Sequence, residues 1–588
     1  MTQTFAGWTV LAILACSAGG CGRSAGNTDE RPVIPESAGR TGVLTPGALP
    51  FLNDQITAPE LSARVNQFAP SVLDFDDRSL QAWEKQVLKK LVEASFVLHD
   101  VYALQVSENI PEWRARIERE QGDGKQAAID YFEIMVGPWD RLAHDQPFLE
   151  VGPKPPGAAY YPLDLTKAEF EAHLAKHAQD RTAFTGYFTV IRRDAQRNLK
   201  AVPYSEHYRY DLERAAQLLR AAAQAAQNAS LKDFLQKRSA AFLSNDYYAS
   251  DVAWMDLKDS RIEPTIGPYE VYEDALFGYK AAFESFVTVA DARASSELDG
   301  LKNRMPSLER NLPIEDRFKS LDRPFESPIR VVDVVYTSGD ARRGVQTIAF
   351  NLPNDEKVIE AKGSKKVMLR NVMRAKFDKI LTPIAGQVLE SALVADVQFQ
   401  PWFINVLMHE LAHGLGPKSI TTATGERTTV NRALKELYSA IEEAKADVTG
   451  LHNLTILQQQ GVYDAAFVRR AYVGHLADLF RAVRFGTSEA HGKANLLQFN
   501  WLREKNVLRY DQRTGRFTAE LVALINANRE LATELLTLQA LGSYERAQTL
   551  LSRYGQERPE LKAALQKLTQ VPVDIRPQHT VVEKMKSW

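Results

Sequence analysis

Cysteine is almost absent from this chain of 588 residues, which has two, Cys16 and Cys21, both in the first 21 positions. A disulfide framework and thiol chemistry are therefore excluded from the body of the protein. An excess of one charge is also missing. Lys and Arg number 72 against 74 Asp and Glu, a formal net charge of -2, so no global basic surface calls for nucleic acid or an anionic membrane. No run reaches membrane-spanning length, and no internal repeat of fixed period occurs. What remains is a globular composition, 45% hydrophobic and 25% charged, long enough for several domains or one large two-lobed body.

The apolar run FAGWTVLAILACSA at residues 5–18 has the length of a signal peptide, and the small residues Ala18, Gly19 and Gly20 precede Cys21. The expectation is a lipoprotein signal over residues 1–21 with lipid on Cys21, giving an exported, membrane-anchored protein facing the periplasm or cell surface. The segment ahead of the run has no Lys or Arg, and if it is not a signal the chain is cytoplasmic. Residues 22–50, rich in Gly, Ser, Pro and Thr, read as a flexible tether. Three- and four-residue apolar spacing makes 51–250 mainly helical. Residues 251–364 mix turn signals with β-branched runs, and PIRVVDVVYTSGDARRGVQTIAFNLPND reads as two strands around a Ser-Gly-Asp turn. Helical spacing returns over 365–575, interrupted near residue 514 by DQRTGRF, and 576–588 reads as a polar tail.

The chemistry concentrates in QPWFINVLMHELAHGLGP. On a helix, His409 and His413 project from one face at a spacing that lets two imidazoles share a metal ion, with Glu410 beside them to handle a proton. The flanking Trp402, Phe403, Ile404, Val406, Leu407, Met408 and Leu411 predict a buried helix, ended by Gly414, Gly416 and Pro417. A hydrolytic zinc site needs a third protein ligand and an open position for water. The next helical stretch, VNRALKELYSAIEEAKADVTGLHNL, places Glu436, Ala440, Glu443 and Asp447 on one face, away from an apolar stripe of Leu434, Leu437, Ile441, Val448 and Leu451. Taken alone, Glu443 and Asp447 read as a solvated acidic face paired with Lys445 and Arg432. With the histidine pair upstream, Glu443 becomes the candidate third ligand, and Asp447 the acceptor that orients a ligand imidazole.

HELAHGLGP followed by EEAKAD resembles the M49 metallopeptidases of the dipeptidyl peptidase III type, whose second Glu of the EExxAE/D motif is the ligand, here Glu443. The usual family form, HExxGH, has one residue more than this five-residue variant. Three shorter segments extend the likeness. Asn351-Leu352-Pro353-Asn354 resembles the N-x-P-N segment, implying Asn351 and Asn354 as holders of a peptide's free amine. GPYEVYED resembles GP-x-VESY, implying Glu270 as an anionic partner of that amine and Tyr272 as a transition-state donor. EAHGKANLLQFN resembles the segment with the family's catalytic histidine, implying His491; His475 reads as a core histidine. The resemblance implies one zinc ion per chain and an α+β, predominantly helical fold of two lobes around a wide cleft, a helical zinc-bearing lobe and a lobe containing a small β-barrel. It also implies release of dipeptides from the free N-terminus of oligopeptides. The zinc motif by itself leaves open a different amide substrate, or a peptide-binding lipoprotein without turnover.

Overall fold

Strands rich in β-branched and aromatic residues gather into one five-stranded sheet: β1 (Thr265–Glu270), β2 (Ala282–Ala290), β3 (Ile329–Gly339), β4 (Ala349–Leu352) and β5 (Lys365–Leu369). The computed structural model describes residues 49–321, 329–421, 425, 427–487 and 489–588. The expected signal, Cys21 and nearly all of the tether lie outside the described residues. Spatial order in the sheet is β1-β2-β3-β5-β4. All neighbours are antiparallel except β3 and β5, which run parallel. The two strands expected around the Ser-Gly-Asp turn both form, yet β5 lies between them, so they do not pair with each other. The expected small β-barrel is present as a half-barrel, with β1 and β4 as its edges.

A 25-residue helix, α1 (Ala82–Val106), lies across β2 and β3 and along α2 (Arg209–Ala225). It does so because Val87, Leu88, Leu91, Ser95, Leu98, Val101 and Tyr102 fall at three- and four-residue steps and are all buried. α3 (Ala229–Ser244) packs on α2 to complete this layer.

The second body of helices is built around α4 (Phe399–Ala412), which is buried on every side except at Gln400. A helix apolar all round has to sit inside a bundle. It does: α5 (Tyr438–Gln459) and α6 (Ala465–Val483) pack on α4, while α7 (Ala490–Glu504) and α8 (Leu521–Leu541) pack on α5. The α4/α5 crossing turns on Gly450, where an added Cβ would stand 2.9 Å from the His409 amide nitrogen and 3.0 Å from the Met408 carbonyl carbon. Only a residue without a side chain lets the two backbones approach this closely.

Two sequence expectations need correction. The stretch from Val430 onward is not one helix: a short helix ends at Leu434, Lys435 takes a positive φ of 53°, and α5 starts at Tyr438. Residues 574–579, which run into the expected polar tail, form a strand paired in parallel with Phe68–Leu73. Among the described residues no helix is long and apolar enough to cross a membrane.

Candidate metal and peptide site

The i, i+4 spacing on α4 brings the two imidazoles together with their rings 4.8 Å apart and perpendicular. Each has its Nδ1 turned outward to a carboxylate on α5. His409 Nδ1 donates to Asp447 Oδ1 at 2.7 Å, and His413 Nδ1 donates to Glu442 Oε1 at 2.9 Å. An ionised carboxylate only accepts, so each Nδ1 carries a proton, and in the neutral imidazole Nε2 is then the atom with the free lone pair. Those two nitrogens face each other at 3.2 Å, and Glu443 Oε2 lies 3.4 Å from one and 3.8 Å from the other. Ligands 2.0–2.1 Å from a tetrahedral centre stand about 3.3 Å from one another. Two lone pairs and a buried carboxylate oxygen without a hydrogen-bond partner therefore meet at the separations that a zinc ion requires. Among the described residues, His409, His413 and Glu443 form the single group of this kind.

The outer partners are themselves fixed. Gln498 on α7 donates through Nε2 to Asp447 Oδ2 at 2.7 Å, which leaves its Oε1 to accept from His475 Nε2 on α6 at 2.8 Å. His475 is thus more than a core residue, since its proton settles which way the Gln498 amide faces. Glu442 accepts from Gln539 on α8 at 2.7 Å and pairs with the buried Lys445 at 2.8 Å. Burial raises the Glu442 pKa, but Lys445 and His413 outweigh it and hold the carboxyl at about 2. Lys445 also donates to the carbonyls of Ala412 and Leu415 at 3.0 and 3.2 Å, closing the end of α4 just past the histidine pair. The solvated face that this segment suggests without the histidine pair does not form, because the α4/α5 crossing buries Lys445.

Glu410 points into the same space. Its carboxylate is buried; Lys366 on β5 bonds Oε2, and Oε1 has no partner. Burial raises its pKa, but Lys366, His409 and His413 together hold it below the ordinary carboxylate value, so Glu410 is ionised and ready to accept a proton. His491, in the first turn of α7, has its Nε2 3.1 Å from Glu443 Oε2. The next residue has to be glycine, since a Cβ on Gly492 would lie 2.0 Å from the Gly486 carbonyl oxygen.

The facing wall is the sheet. A bulge at Tyr269 shifts the β1/β2 register, re-aiming the end of β1 at Glu270. Asn354 Nδ2 donates to the Tyr269 carbonyl at 3.0 Å. Glu270, Glu284 and Asp340 crowd around one guanidinium, Arg343, which bonds Asp340. Burial and the Asp340 charge push Glu270 up to about 7 against Arg343 and the Asn354 amide, and burial with the Glu270 charge pushes Glu284 well above the usual range. By contrast the adjoining Glu273 is paired with Lys154 at 2.7 Å and Arg141 at 2.9 Å. The Glu270 cluster has more carboxylates than cations and is short of positive charge. Tyr272, 46% exposed, shares these surroundings, with Glu270 and Asp340 as its charged neighbours, rather than those of the imidazoles.

A family model, that of peptidase family M49, matches residues 163–426, which include the histidine pair. The solved structure of DPP III from Caldithrix abyssi superposes with a TM-score of 0.85 at 45% identity, covering 89% of this chain and 100% of that one. The chain belongs to peptidase family M49. DPP III from Corallococcus sp. strain EGB agrees, with a TM-score of 0.73 at 41% identity over 90% of this chain and 99% of that one. The predominantly helical, two-lobed α+β fold is thus the M49 fold of the DPP III type. Among curated proteins, "Nudix hydrolase 3" of Arabidopsis thaliana is 36% identical over 91% of this chain and 76% of its own length. That name describes another hydrolase chemistry and is a property of the plant protein. "Dipeptidyl peptidase 3" of Dictyostelium discoideum is 25% identical over 38% of this chain and 31% of its own length.

Lys366, Glu442, Lys445, Gln498 and Gln539 are site residues that the motifs did not single out. Glu442 and Lys445 lie inside EEAKAD, but their burial comes from the α4/α5 crossing. The other three carry no local signal.

Proposed function

We propose that this M49 peptidase is zinc-dependent and releases dipeptides from the free N-terminus of oligopeptides. The observation that carries the reading is the meeting of two bare Nε2 atoms and Glu443 Oε2 at tetrahedral separations, with the ionised Glu410 alongside. His409, His413 and Glu443 would hold the ion. When bound there, zinc supplies a Lewis acid for the scissile carbonyl and brings the pKa of a water toward neutrality. Glu410 would take a proton from the attacking water and pass it to the leaving amine nitrogen. His491 donates to the oxygen on which negative charge develops. Asp447 and Glu442 keep both ligand imidazoles in the Nδ1–H tautomer throughout. At the other wall the charge-deficient Glu270 cluster favours a cation, and the peptide's terminal ammonium is the one that fits between it and Asn351 and Asn354. Tyr272 stands with this end of the substrate. An exported form anchored through Cys21 is part of the same proposal and is tested by labelling with a lipid precursor.

The deciding experiment is a panel of dipeptidyl arylamides with free and acetylated N-termini, run with and without chelator. Cleavage confined to free amines and abolished by chelation is the expected result. Equal turnover of acetylated substrates overturns the dipeptidyl reading. Glu410→Ala should lower kcat by on the order of 10²–10⁴ while zinc stays bound, and a wild type inactive on every peptide makes the chain a binding protein.

A further inference from the structure

The amine-facing cluster belongs to the sheet and the metal ligands to the helices, and Lys366 reaches from one to the other. It stands directly opposite Asn351 in the antiparallel β5/β4 ladder, so the two side chains leave the sheet on the same face. From that face its Nζ bonds Glu410 Oε2 on α4, with side-chain exposures of 13% for the lysine and 0% for the carboxylate. Glu410 Oε1 is buried with no partner. A buried carboxylate with an ammonium on one oxygen and nothing on the other is no longer symmetric. The bare oxygen is the one able to take a proton, and the bonded oxygen fixes the plane in which it lies.

We propose that Lys366 is a positioning residue for Glu410: it sets Oε1 as the proton-accepting oxygen and holds the base at a fixed reach from Asn351. The step it serves rests on the peptidase reading above. In that step a water O–H bond breaks and its proton goes to Glu410 Oε1, while the water oxygen bonds the scissile carbonyl carbon. The C–N bond then breaks and the proton moves from Glu410 to the leaving nitrogen; the second water proton leaves when the new carboxyl group ionises. Lys366 keeps its three protons from start to finish. Its span also gives the site a measure, since Asn351, at the amine end, and the base, at the scissile bond, are joined by one lysine side chain across the cleft.

The test uses the full zinc-loaded chain. Lys366→Met is expected to lower kcat on a free-amine dipeptidyl arylamide by on the order of tenfold to a hundredfold, with KM little changed and zinc per chain unaltered. Lys366→Arg, which keeps a charged donor, should recover part of that loss. A Lys366→Met kcat within about twofold of wild type overturns the proposal. So does a raised KM with kcat kept, which would make the lysine a substrate contact. Lys366→Gln retains donors without charge and serves, with the same expectations, where the Met variant does not fold. A second measurement needs no turnover: metal-free Lys366→Met, Glu410→Ala and the double variant are melted. Contacting residues should give non-additive shifts, and additive shifts overturn the proposal. A wild type inactive on all peptides but showing this coupling overturns the peptidase reading alone.

Discussion

The two walls of the site handle buried charge in opposite ways. On the helical wall the two carboxylates behind the imidazoles have assigned partners: Asp447 takes protons from His409 and Gln498, and Glu442 from His413, Gln539 and Lys445. The result is a cradle whose Nδ1 protons are settled before any ligand arrives, with Glu443 Oε2 and Glu410 Oε1 left without a partner. On the sheet wall, Glu270, Glu284 and Asp340 compete for Arg343, and the shortage is expressed as raised pKa values. Preorganised donors suit a tightly held ion. A cluster short of positive charge suits a ligand that brings its own and then leaves.

Three measurements bear on that contrast, and the largest effect is expected where the helical wall is tightest. Gly450→Ala puts a methyl group 2.9 Å from the His409 amide nitrogen, forcing α4 and α5 apart. The expected cost is about 1–3 kcal/mol in denaturant unfolding of the metal-free protein, together with weaker zinc binding; an unchanged midpoint would mean that the crossing is not rigid. Next comes Gln498→Leu, which removes the donor to Asp447 and the acceptor for His475 but leaves the ligands untouched. Zinc affinity, read by chelator competition, should fall on the order of tenfold, and no change would show that Asp447 alone fixes the tautomer.

The smallest effect tests the sheet wall. With the Glu270 pKa raised to about 7, an ammonium ligand favours the ionised carboxylate and must displace a proton below that pH. KM for a free-amine substrate should therefore rise as pH falls below about 7, approaching tenfold per unit, and level off above it. Asp340→Asn removes the charge that raises Glu270 and frees Arg343 from its partner, so the rise should begin at lower pH. Identical KM profiles for the variant and wild type would mean that the two walls do not differ in this way.

Local periodicity is what made the helical wall legible. His409 and His413 at i, i+4, and Glu443 and Asp447 at the same step, are readable because a helix turns four-residue spacing into proximity. Side chains that arrive from elsewhere leave no such trace: Gln498 meets Asp447 from 51 residues away and Gln539 meets Glu442 from 97. Lys366 was opaque for the same reason, since its meaning depends on β5 slipping between β3 and β4, a non-local pairing. The burial of Lys445 was not legible, because it follows from a helix crossing that sequence spacing does not contain. The interruption at Lys435 depends on a single residue in a left-handed conformation, and apolar periodicity runs straight through it.

The parallel pairing of Phe68–Leu73 with Asp574–His579 has a consequence in time. Partners that lie more than five hundred residues apart are joined there, and Lys584 adds ion pairs to Asp74 and Asp77 while Trp588 stacks edge-on against Phe75. During synthesis the early strand emerges long before its mate and has to wait, an open edge, through the making of both walls. The later strand therefore seals the earlier one, and the fold acquires this pairing only after the segments that build both walls have been made.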